Sequence, residues 1–498
     1  MERDAKKGGI LDRRRLLKAG LLGGGSAVAA AALAGCGETQ VVEIVKEVPV
    51  EKVVTQIVEK AVVEEKVVTQ IVEKQVVVEK VVTEAPAMRR SGTVTYWSWW
   101  APTLRLAFGA WDEFLRTDFE KNNPGIKAEV QFLPFGDLVT KTIASLAGGE
   151  APDALHASVA FARDLYDKNA LISMNDYIKV QPEYAMDNYF EGSTFFNQYK
   201  GQVFGIPGEG PEFTARAYNT EHFDAAGLAS DPQEVQQWTS EMWVDAALRL
   251  TERDGDKVTR SGWVAINQSE ESWAANSYAN GVPNLYIDEG KALHPDLPER
   301  GAEVLQYEYD MLHVHNVSKP ITPDRTDRPD FFRGEASALY MGSGNIGEIN
   351  QQQPDLPFEM VQMPRYPNWT DRQGVTWTNM MTVPTKGDND LGFEFAAWYG
   401  SLDAAIGRVR INNIPSARKD FYDTEGWAFL KRAQPQWGSF YEGLRPMDNA
   451  GPWPYIRRGC LSQVIRPLGQ AVMLGDKTPD EAVAEIFDAS IECLEDVP

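Results

Sequence analysis

The sequence predicts an α/β protein, because segments with strand periodicity alternate with segments of helical periodicity from residue 91 onward. The first predicted strand covers 93–97, and apolar residues at helical spacing follow over 108–119. A second strand alternates apolar and polar side chains over 126–132, and after another helix a third strand begins at Asp153. This βαβαβ order predicts a parallel sheet covered by helices, with ligands bound at the carboxyl ends of its strands.

Turn residues mark the ends of these elements. Asn122-Asn123-Pro124-Gly125 should stop the first helix, because proline has no backbone N–H and clashes with the preceding helical turn. Gly148-Gly149 should end the second helix after Ala147, since glycine readily adopts the left-handed conformation that closes helices. The pattern therefore separates strands and helices into short, regular units.

Length and charge limit the classes of function. The chain has 498 residues, 43% of them apolar, so the part beyond the N-terminal leader is long enough for two domains. Its formal net charge of -23 would be repelled by nucleic acid and by anionic lipid. We therefore expect no nucleic-acid partner.

Residues 1–35 indicate an export signal. A basic cluster at Arg13–Lys18 precedes an apolar run that is too short and Gly-rich for a lasting membrane span. The cluster resembles a twin-arginine signal, but Asp12 replaces the usual Ser or Thr, so the twin-arginine and Sec routes both stay open. Leu33-Ala34-Gly35-Cys36 resembles the bacterial lipobox, which predicts a lipid on Cys36 and attachment to the outer face of the cell membrane. The alternative is an ordinary signal peptide with an incidental cysteine.

A Val/Glu/Lys-rich repeat stalk is predicted over 36–90. The segment EKVVTQIVEK begins at Glu51 and again at Glu65, and EKVVT returns at Glu79. The spacing permits a coiled helix or an extended form, and although the density of Val lowers helix propensity, we favour the helix. We interpret the repeat as a spacer that holds the following domain away from the membrane.

Two cysteines, Cys460 and Cys493, remain once Cys36 is assigned to the lipobox. In an oxidising compartment they are able to form a disulfide, and two buried free thiols would explain them nearly as well.

Several short motifs, weak alone, occur together in a characteristic order over roughly 93–490. They are Pro124–Ile126, Gly148–Asp153, Gly201–Pro207, Tyr218-Asn219, Phe223–Leu228, Phe332–Met341 and Phe393–Trp398. In this order the chain resembles the family 1 extracellular solute-binding proteins of ABC importers. The resemblance implies a type II-like periplasmic-binding-protein fold, in which crossover strands join two α/β lobes that close on a ligand.

On this resemblance, we expect the chain to pass between the lobes near 205–211, 363–374 and 412–418, where Gly and Pro suit hinges. The corresponding expected segments are 91–207 and 364–414 for the first lobe, and 208–363 and 415–498 for the second.

Candidate ligand-binding residues share two properties: they follow strands or crossovers in the family pattern, and they carry aromatic rings or hydrogen-bonding groups suited to a sugar. They are Trp99, Trp100, His156, Ser158, Glu209, Glu212, Trp273, Asn345, Trp377, Asn379 and Trp453. The maltose-binding branch of the family has a tryptophan where this chain has Gly344-Asn345-Ile346, so maltose specificity does not transfer.

Motifs for chemistry are absent from the sequence. No Ser-x-x-Lys or Gly-x-Ser-x-Gly nucleophile motif occurs, and Gly342-Ser343-Gly344-Asn345 lacks the lysine and spacing of a phosphate loop. We therefore predict a non-enzymatic protein without metal or cofactor, whose partners are a sugar and the permease and ATPase of an importer. The alternatives are a cell-surface glycoside-acting enzyme and a stalked sensor or adhesion lipoprotein.

Overall fold

The computed structural model describes residues 91–100, 106–134, 137–264, 270–320, 328–371, 373–452 and 458–495, all within one compact unit. The predicted export signal, Cys36 and the repeat stalk lie outside the described residues. In the described part of the chain, none of the helices has the length and apolar character needed to cross a membrane.

Sixteen strands are present among the described residues. They are β1 (Gly92–Ser98), β2 (Ile126–Phe132), β3 (Ala154–Ser158), β4 (Gln198–Tyr199), β5 (Gln202–Val203), β6 (Ile206–Pro207), β7 (Glu212–Asn219), β8 (Glu252–Asp254), β9 (Lys257–Arg260), β10 (Tyr286–Ile287), β11 (Ala292–Leu293), β12 (Ala338–Gly342), β13 (Phe358–Val361), β14 (Val375–Trp377), β15 (Asn379–Thr382) and β16 (Gly451–Pro452).

The α-helices cover both sheets. They are α1 (Leu106–Asn122), α2 (Leu138–Gly148), α3 (Val159–Asp167), α4 (Asn175–Val180), α5 (Glu191–Thr194), α6 (Thr220–Ala225), α7 (Pro232–Val235), α8 (Ser240–Leu250), α9 (Glu270–Ala279), α10 (Leu297–His313), α11 (Arg328–Phe332), α12 (Asn345–Gln352), α13 (Asn389–Tyr399), α14 (Leu402–Asn412), α15 (Glu425–Ala433), α16 (Gln436–Gly438), α17 (Arg458–Leu474) and α18 (Pro479–Leu494).

The first lobe contains a five-stranded sheet in the order β2-β1-β3-β15-β6. Strands β1, β2 and β3 are parallel, whereas β15 runs antiparallel to β3 and β6. In β2, buried Ile126 and Ala128 alternate with exposed Lys127 and Glu129, because successive side chains point to opposite faces of a strand. The predicted βαβαβ arrangement is confirmed, and α1 ends at Asn122 as the turn residues indicated.

The second lobe is organised around β7, which is buried along almost its whole length. Strand β12 pairs antiparallel with β7, and β13 and β14 also pair antiparallel with it. Strand β16 pairs parallel with β14 at the edge of this sheet. The α/β class with two lobes, inferred from the sequence, is therefore confirmed.

The return to the first lobe occurs later than expected. Residues 363–374 were expected to cross between the lobes, but they connect β13 to β14 within the second lobe, where Met363 N donates to Gln373 O at 3.1 Å. Since β14 pairs with β7 and β15 pairs with β3, the crossing falls at Thr378 instead.

One apolar cluster continues from the first lobe into the second. It joins Leu155 and Phe161, from β3 and α3, to Leu305 on α10 and Ile465 on α17. Burying apolar surface from both lobes together stabilises the arrangement in which they are in contact.

The last two helices are fixed at their ends and to each other. Thr478 and Glu481 form a capping box at the start of α18, in which each side chain accepts from the other residue's backbone N–H. A disulfide joins Cys460 on α17 to Cys493 on α18, with 5.6 Å between the two Cα atoms. The structure thus pairs these thiols, one of the two arrangements that the sequence left open.

Candidate functional site at the lobe junction

Three stretches of backbone run side by side where the lobes meet. The first links β6 to β7, the second links β14 to β15, and the third follows α14. Gly208 N donates to Asn379 O at 3.0 Å, Gly210 N donates to Pro415 O at 3.0 Å, and Ala417 N donates to Gly208 O at 3.1 Å. These bonds make the three crossovers one hydrogen-bonded junction, although they are far apart in sequence.

Gly208 has no room for a side chain. A Cβ atom added there would overlap the ring of Tyr399, which packs directly against the backbone. Arg408 Nη2 also donates to Gly208 O at 2.6 Å, and its Nη1 donates to Tyr399 O at 2.7 Å. Glycine at this position therefore lets α13 and α14 approach the first crossover.

A buried carboxylate, Glu209, lies at the centre of the junction. It has no exposed surface, and its side chain accepts a hydrogen bond from Tyr399 Oη. Its Oε1 lies 3.9 Å from Arg408 Nε, and its Oε2 lies 3.7 Å from His156 Nε2. The sequence-predicted residues Glu209 and His156 are thus brought together, inside the junction rather than at an exposed surface.

Glu209 is held in its charged form. Burial alone would raise the pKa of Glu209, but the Arg408 guanidinium, followed by His156 and Tyr399, outweighs burial and lowers the pKa below its ordinary value of 4.5. Burial and the neighbouring carboxylate of Glu209 raise the pKa of Tyr399 well above 10, so Tyr399 stays protonated and donates.

Each ring nitrogen of His156 lies within hydrogen-bonding distance of a hydroxyl oxygen. Trp100 N donates to Ser98 Oγ at 3.1 Å, and Ser98 Oγ lies 3.1 Å from His156 Nδ1. His156 Nε2 lies 3.2 Å from Tyr399 Oη, which itself donates to Glu209. One ordered series of hydrogen bonds then runs from the end of β1 to Glu209.

Two predicted tryptophans surround His156. The Trp99 ring is nearly parallel to the imidazole, with centroids 6.0 Å apart, and the buried Trp100 ring meets it edge-on at 5.0 Å. Trp99 is only partly buried, whereas Trp100 is 3% exposed. Of the two residues that follow β1, Trp99 is therefore the more exposed.

The second lobe contributes Glu212, Asn345 and Trp377 to one small region. Glu212 and Trp377 are directly opposite each other on β7 and β14. A Cβ on Gly344 would overlap the Glu212 carboxylate, and a Cβ on Gly342 would lie 2.9 Å from the Trp377 ring and 3.6 Å from Asn345 Nδ2. The Gly-rich turn after β12 thus serves close packing of these three side chains, which agrees with a strand-to-helix turn rather than a phosphate loop.

Asn345 presents an acceptor in this region. Its Nδ2 donates to Gly342 O at 2.9 Å, while its Oδ1 has no partner among the described residues. Asn345 is only 6% exposed. A buried carbonyl oxygen of this kind is stabilised when a donor reaches it.

Ser158 and Asn379 are brought together on the first-lobe side. They are paired across β3 and β15. Ser158 is the last residue of β3, and Asn379 is the first residue of β15, immediately after the crossover. Asn379 follows Trp377 by one intervening residue, Thr378, whose hydroxyl donates to Glu209 O. The side chains predicted on the two lobes therefore flank the same crossover.

Trp273 does not join this group, and Trp453 lies outside the described residues. Trp273 is 1% exposed, its Nε1 donates to Gly301 O at 3.1 Å, and its ring packs against Gly301 on α10. These contacts place Trp273 in the core of the second lobe.

Sequence reasoning missed Tyr399 and Arg408. The only available signal was the burial expected for the helical pattern of α14, on whose buried face Arg408 lies, 1% exposed. A buried arginine requires a nearby anion, which here is Glu209.

Two α/β lobes that share three crossovers, with aromatic rings and polar groups on both sides of the junction, define a two-lobed binding protein. The sequence pattern of the family described as bacterial extracellular solute-binding proteins matches residues 101–406, more than half of the chain. The chain belongs to this family. No curated protein sequence matches the chain.

Solved structures share the fold at low sequence identity. An ABC substrate-binding protein from Listeria monocytogenes in complex with cycloalternan matches with a TM-score of 0.68 and 20% identity, over 80% of this chain and 98% of that one. The GacH receptor of Streptomyces glaucescens, solved unliganded and with acarbose, matches with a TM-score of 0.67 and 20% identity, over 82% and 100%. The sugar-binding protein MalE of Xanthomonas citri matches with a TM-score of 0.65 and 17% identity, over 81% and 97%.

Proposed function

We propose that this protein captures a sugar or oligosaccharide between its two lobes, outside the cytoplasm, and delivers it unchanged to the permease and ATPase of an ABC importer. The observation that carries the proposal is the grouping of the Trp377 ring with the Glu212 carboxylate and the Asn345 amide beside a crossover. A ring face suits the apolar C–H surface of a sugar, and the carboxylate and amide suit its hydroxyl groups.

The first lobe supplies complementary groups. Trp99, Ser158 and Asn379 lie on the opposite side of the crossover, so a ligand held at the junction is positioned to contact both lobes. The similar structures from Listeria monocytogenes and Streptomyces glaucescens were solved with cycloalternan and acarbose, which agrees with an oligosaccharide ligand. Such a ligand would favour the closed arrangement by its differential affinity for it.

Replacing Trp377 by alanine should weaken sugar binding by about 1 to 3 kcal/mol, because the ring would no longer cover one face of the ligand. Calorimetric titration with each sugar that raises the melting temperature in a carbohydrate screen measures this change. Trp369→Ala is the matched control, since Trp369 is also a partly buried tryptophan of the second lobe but packs under Arg365 instead. Equal affinities for the wild type and Trp377→Ala would contradict the site.

A separate experiment tests whether the bound sugar stays chemically unchanged. After prolonged incubation, the bound sugar should be recovered with its original mass and chain length, as measured by mass spectrometry. Accumulation of shorter products would contradict the proposed function in favour of a glycoside-acting enzyme.

We also propose that Cys36 carries a lipid that holds the protein at the outer face of the cell membrane. Cys36→Ala should abolish incorporation of a labelled fatty acid and leave the protein released or unprocessed, because no thiol would remain at the lipobox. Metabolic labelling measures this result directly. Lipid incorporation into the alanine variant would exclude the lipobox assignment.

A further inference from the structure

A cavity lies at the boundary of the lobes and shares no residue with the junction site. It encloses about 530 Å³, within the roughly 300–1,000 Å³ typical of small-molecule sites. The first lobe lines it with Arg163 on α3 and with residues of 191–204, and the second lobe lines it with Asn284, Tyr286 and Gly290.

Arg163 provides a buried donor that lines this cavity. The residue is 7% exposed, its Nε donates to Asp167 Oδ1 at 2.7 Å, and its guanidinium lies 3.2 Å from the centroid of the Tyr199 ring. These contacts fix the orientation of the guanidinium. Its Nη2, however, has no hydrogen-bond partner among the described residues. An unpaired buried N–H is costly, so an acceptor supplied by an occupant would be stabilising.

The charges around the cavity favour a neutral occupant. Asp167 compensates Arg163, and the remaining charged residues of the lining, Glu191 and Lys200, have opposite signs. The lining with Asp167 therefore carries no net formal charge. An anion or a cation would gain little there, whereas a neutral molecule with hydroxyl groups could accept from Arg163 Nη2 and bond to Asn284.

Aromatic rings supply the apolar part of the lining. Phe195 is 49% exposed, and its ring meets Phe196 edge-on with centroids 4.7 Å apart, which supports it from one side. Tyr286 faces the cavity from the second lobe. Rings beside a fixed donor and an amide match a pyranose unit, which has apolar C–H faces and hydroxyl edges.

We propose that this cavity binds a second carbohydrate unit, either the far end of an oligosaccharide held at the junction or a separate sugar molecule. The proposal rests on the proposed function and extends it. Because both lobes line the cavity, its occupant would contact both of them.

The test uses the full chain, with maltose, maltotriose, mannotriose and acarbose as probes in calorimetric titrations. Phe195→Ala removes an exposed ring without opening the core, and Arg163→Lys keeps the charge beside Asp167 but removes Nη2. Val180→Ala is the matched control, since Val180 is a 74% exposed apolar residue of the first lobe outside the cavity. Melting temperatures establish that each variant is folded.

Both cavity variants should weaken cavity binding about tenfold, and Val180→Ala should not. If the trisaccharides and acarbose lose affinity while maltose does not, the cavity holds the far end of one ligand. If the titration of the wild type shows a second class of binding site, and this class is lost in Phe195→Ala but kept in Trp377→Ala, the cavity holds a separate sugar.

Unchanged binding of every probe by both cavity variants, while Trp377→Ala weakens binding, would overturn the second site and leave the proposed function standing. Such a result would mean that water alone forms the hydrogen bond that Arg163 Nη2 can donate. If no sugar of the panel or of the carbohydrate screen binds the wild type, both proposals fail.

Discussion

Replacing Glu308 by alanine is expected to lower the free energy of unfolding by about 3 to 5 kcal/mol, because the change leaves a charge buried without its partner. Glu308 Oε1 lies 2.9 Å from Arg216 Nη2, and neither residue has any exposed surface. The Arg216 guanidinium also lies 3.8 Å from the centroid of the Trp263 ring, whose Nε1 donates to Glu308 Oε2 at 3.1 Å. Urea denaturation followed by circular dichroism measures the loss.

Two further variants separate the lost charge from lost packing. Glu308→Gln keeps an acceptor for Trp263 but not the compensating charge, so it should also be destabilised. The double replacement Arg216→Met with Glu308→Leu removes both charges and should be less destabilised than either single change, since apolar residues of similar volume often replace a buried ion pair at little cost.

Glu299→Ala is the matched control on α10. Glu299 is 73% exposed, and its only described partner is Arg300 at 3.6 Å, so its loss should cost less than about 1 kcal/mol. If Glu308→Ala were no less stable than Glu299→Ala, the buried pair would not be important for the second lobe.

The order of elements in the first lobe could be predicted because each element has a local pattern. Strand β2 alternates buried and exposed residues along its own length, and Gly149 closes α2 in the left-handed conformation that glycine favours. Such signals need no knowledge of distant residues. The crossovers were instead expected from the family resemblance. The first expected range, 205–211, spans the link between β6 and β7, whereas the second was expected too early, because the turn over 363–374 has the glycine and proline content of a hinge.

The site could be predicted only in part. Ser158 was expected after the third strand and Trp377 after the second crossover, and in the structure each is the last residue of a strand, β3 and β14. A position at a strand end is a signal that the sequence can supply, because strand ends meet at one edge of a sheet. Trp273 was expected to bind ligand but lies in the core. The sequence did not indicate this, because α9 is buried on nearly all sides and shows no single apolar face that would orient the ring. The bond from Tyr399 to Glu209 joins residues 190 positions apart, and nothing local to either residue indicates it.

Replacing Glu209 by glutamine should lower the free energy of unfolding at pH 7 by about 3 to 5 kcal/mol, because Arg408 would then be buried without its anion. Glutamine keeps an oxygen that accepts from Tyr399, so the volume and that hydrogen bond change little. The variant therefore tests the charge at the junction rather than the packing around it.

The effect of Glu209→Gln on the free energy of unfolding should depend on pH. Since the pKa of Glu209 is lower in the folded protein than its ordinary value of 4.5, its charge contributes stability above pH 4.5. This contribution is lost as the pH falls through the folded pKa. The difference in unfolding free energy between the wild type and Glu209→Gln should thus be largest near pH 7 and should narrow below pH 4.5.

Sugar binding should weaken in the same variant if the junction positions the lobes. Glu209 contacts His156, Tyr399 and Arg408, all in the first lobe, while its backbone belongs to the crossover that leads to β7. Without the carboxylate, the crossover is held less firmly against the first lobe, and closing the lobes on a ligand costs more ordering. Glu394→Gln, an exposed glutamate on α13, is the control and should match the wild type in stability at every pH and in affinity. A Glu209→Gln protein with wild-type stability at pH 7 would show that Arg408 does not depend on this carboxylate.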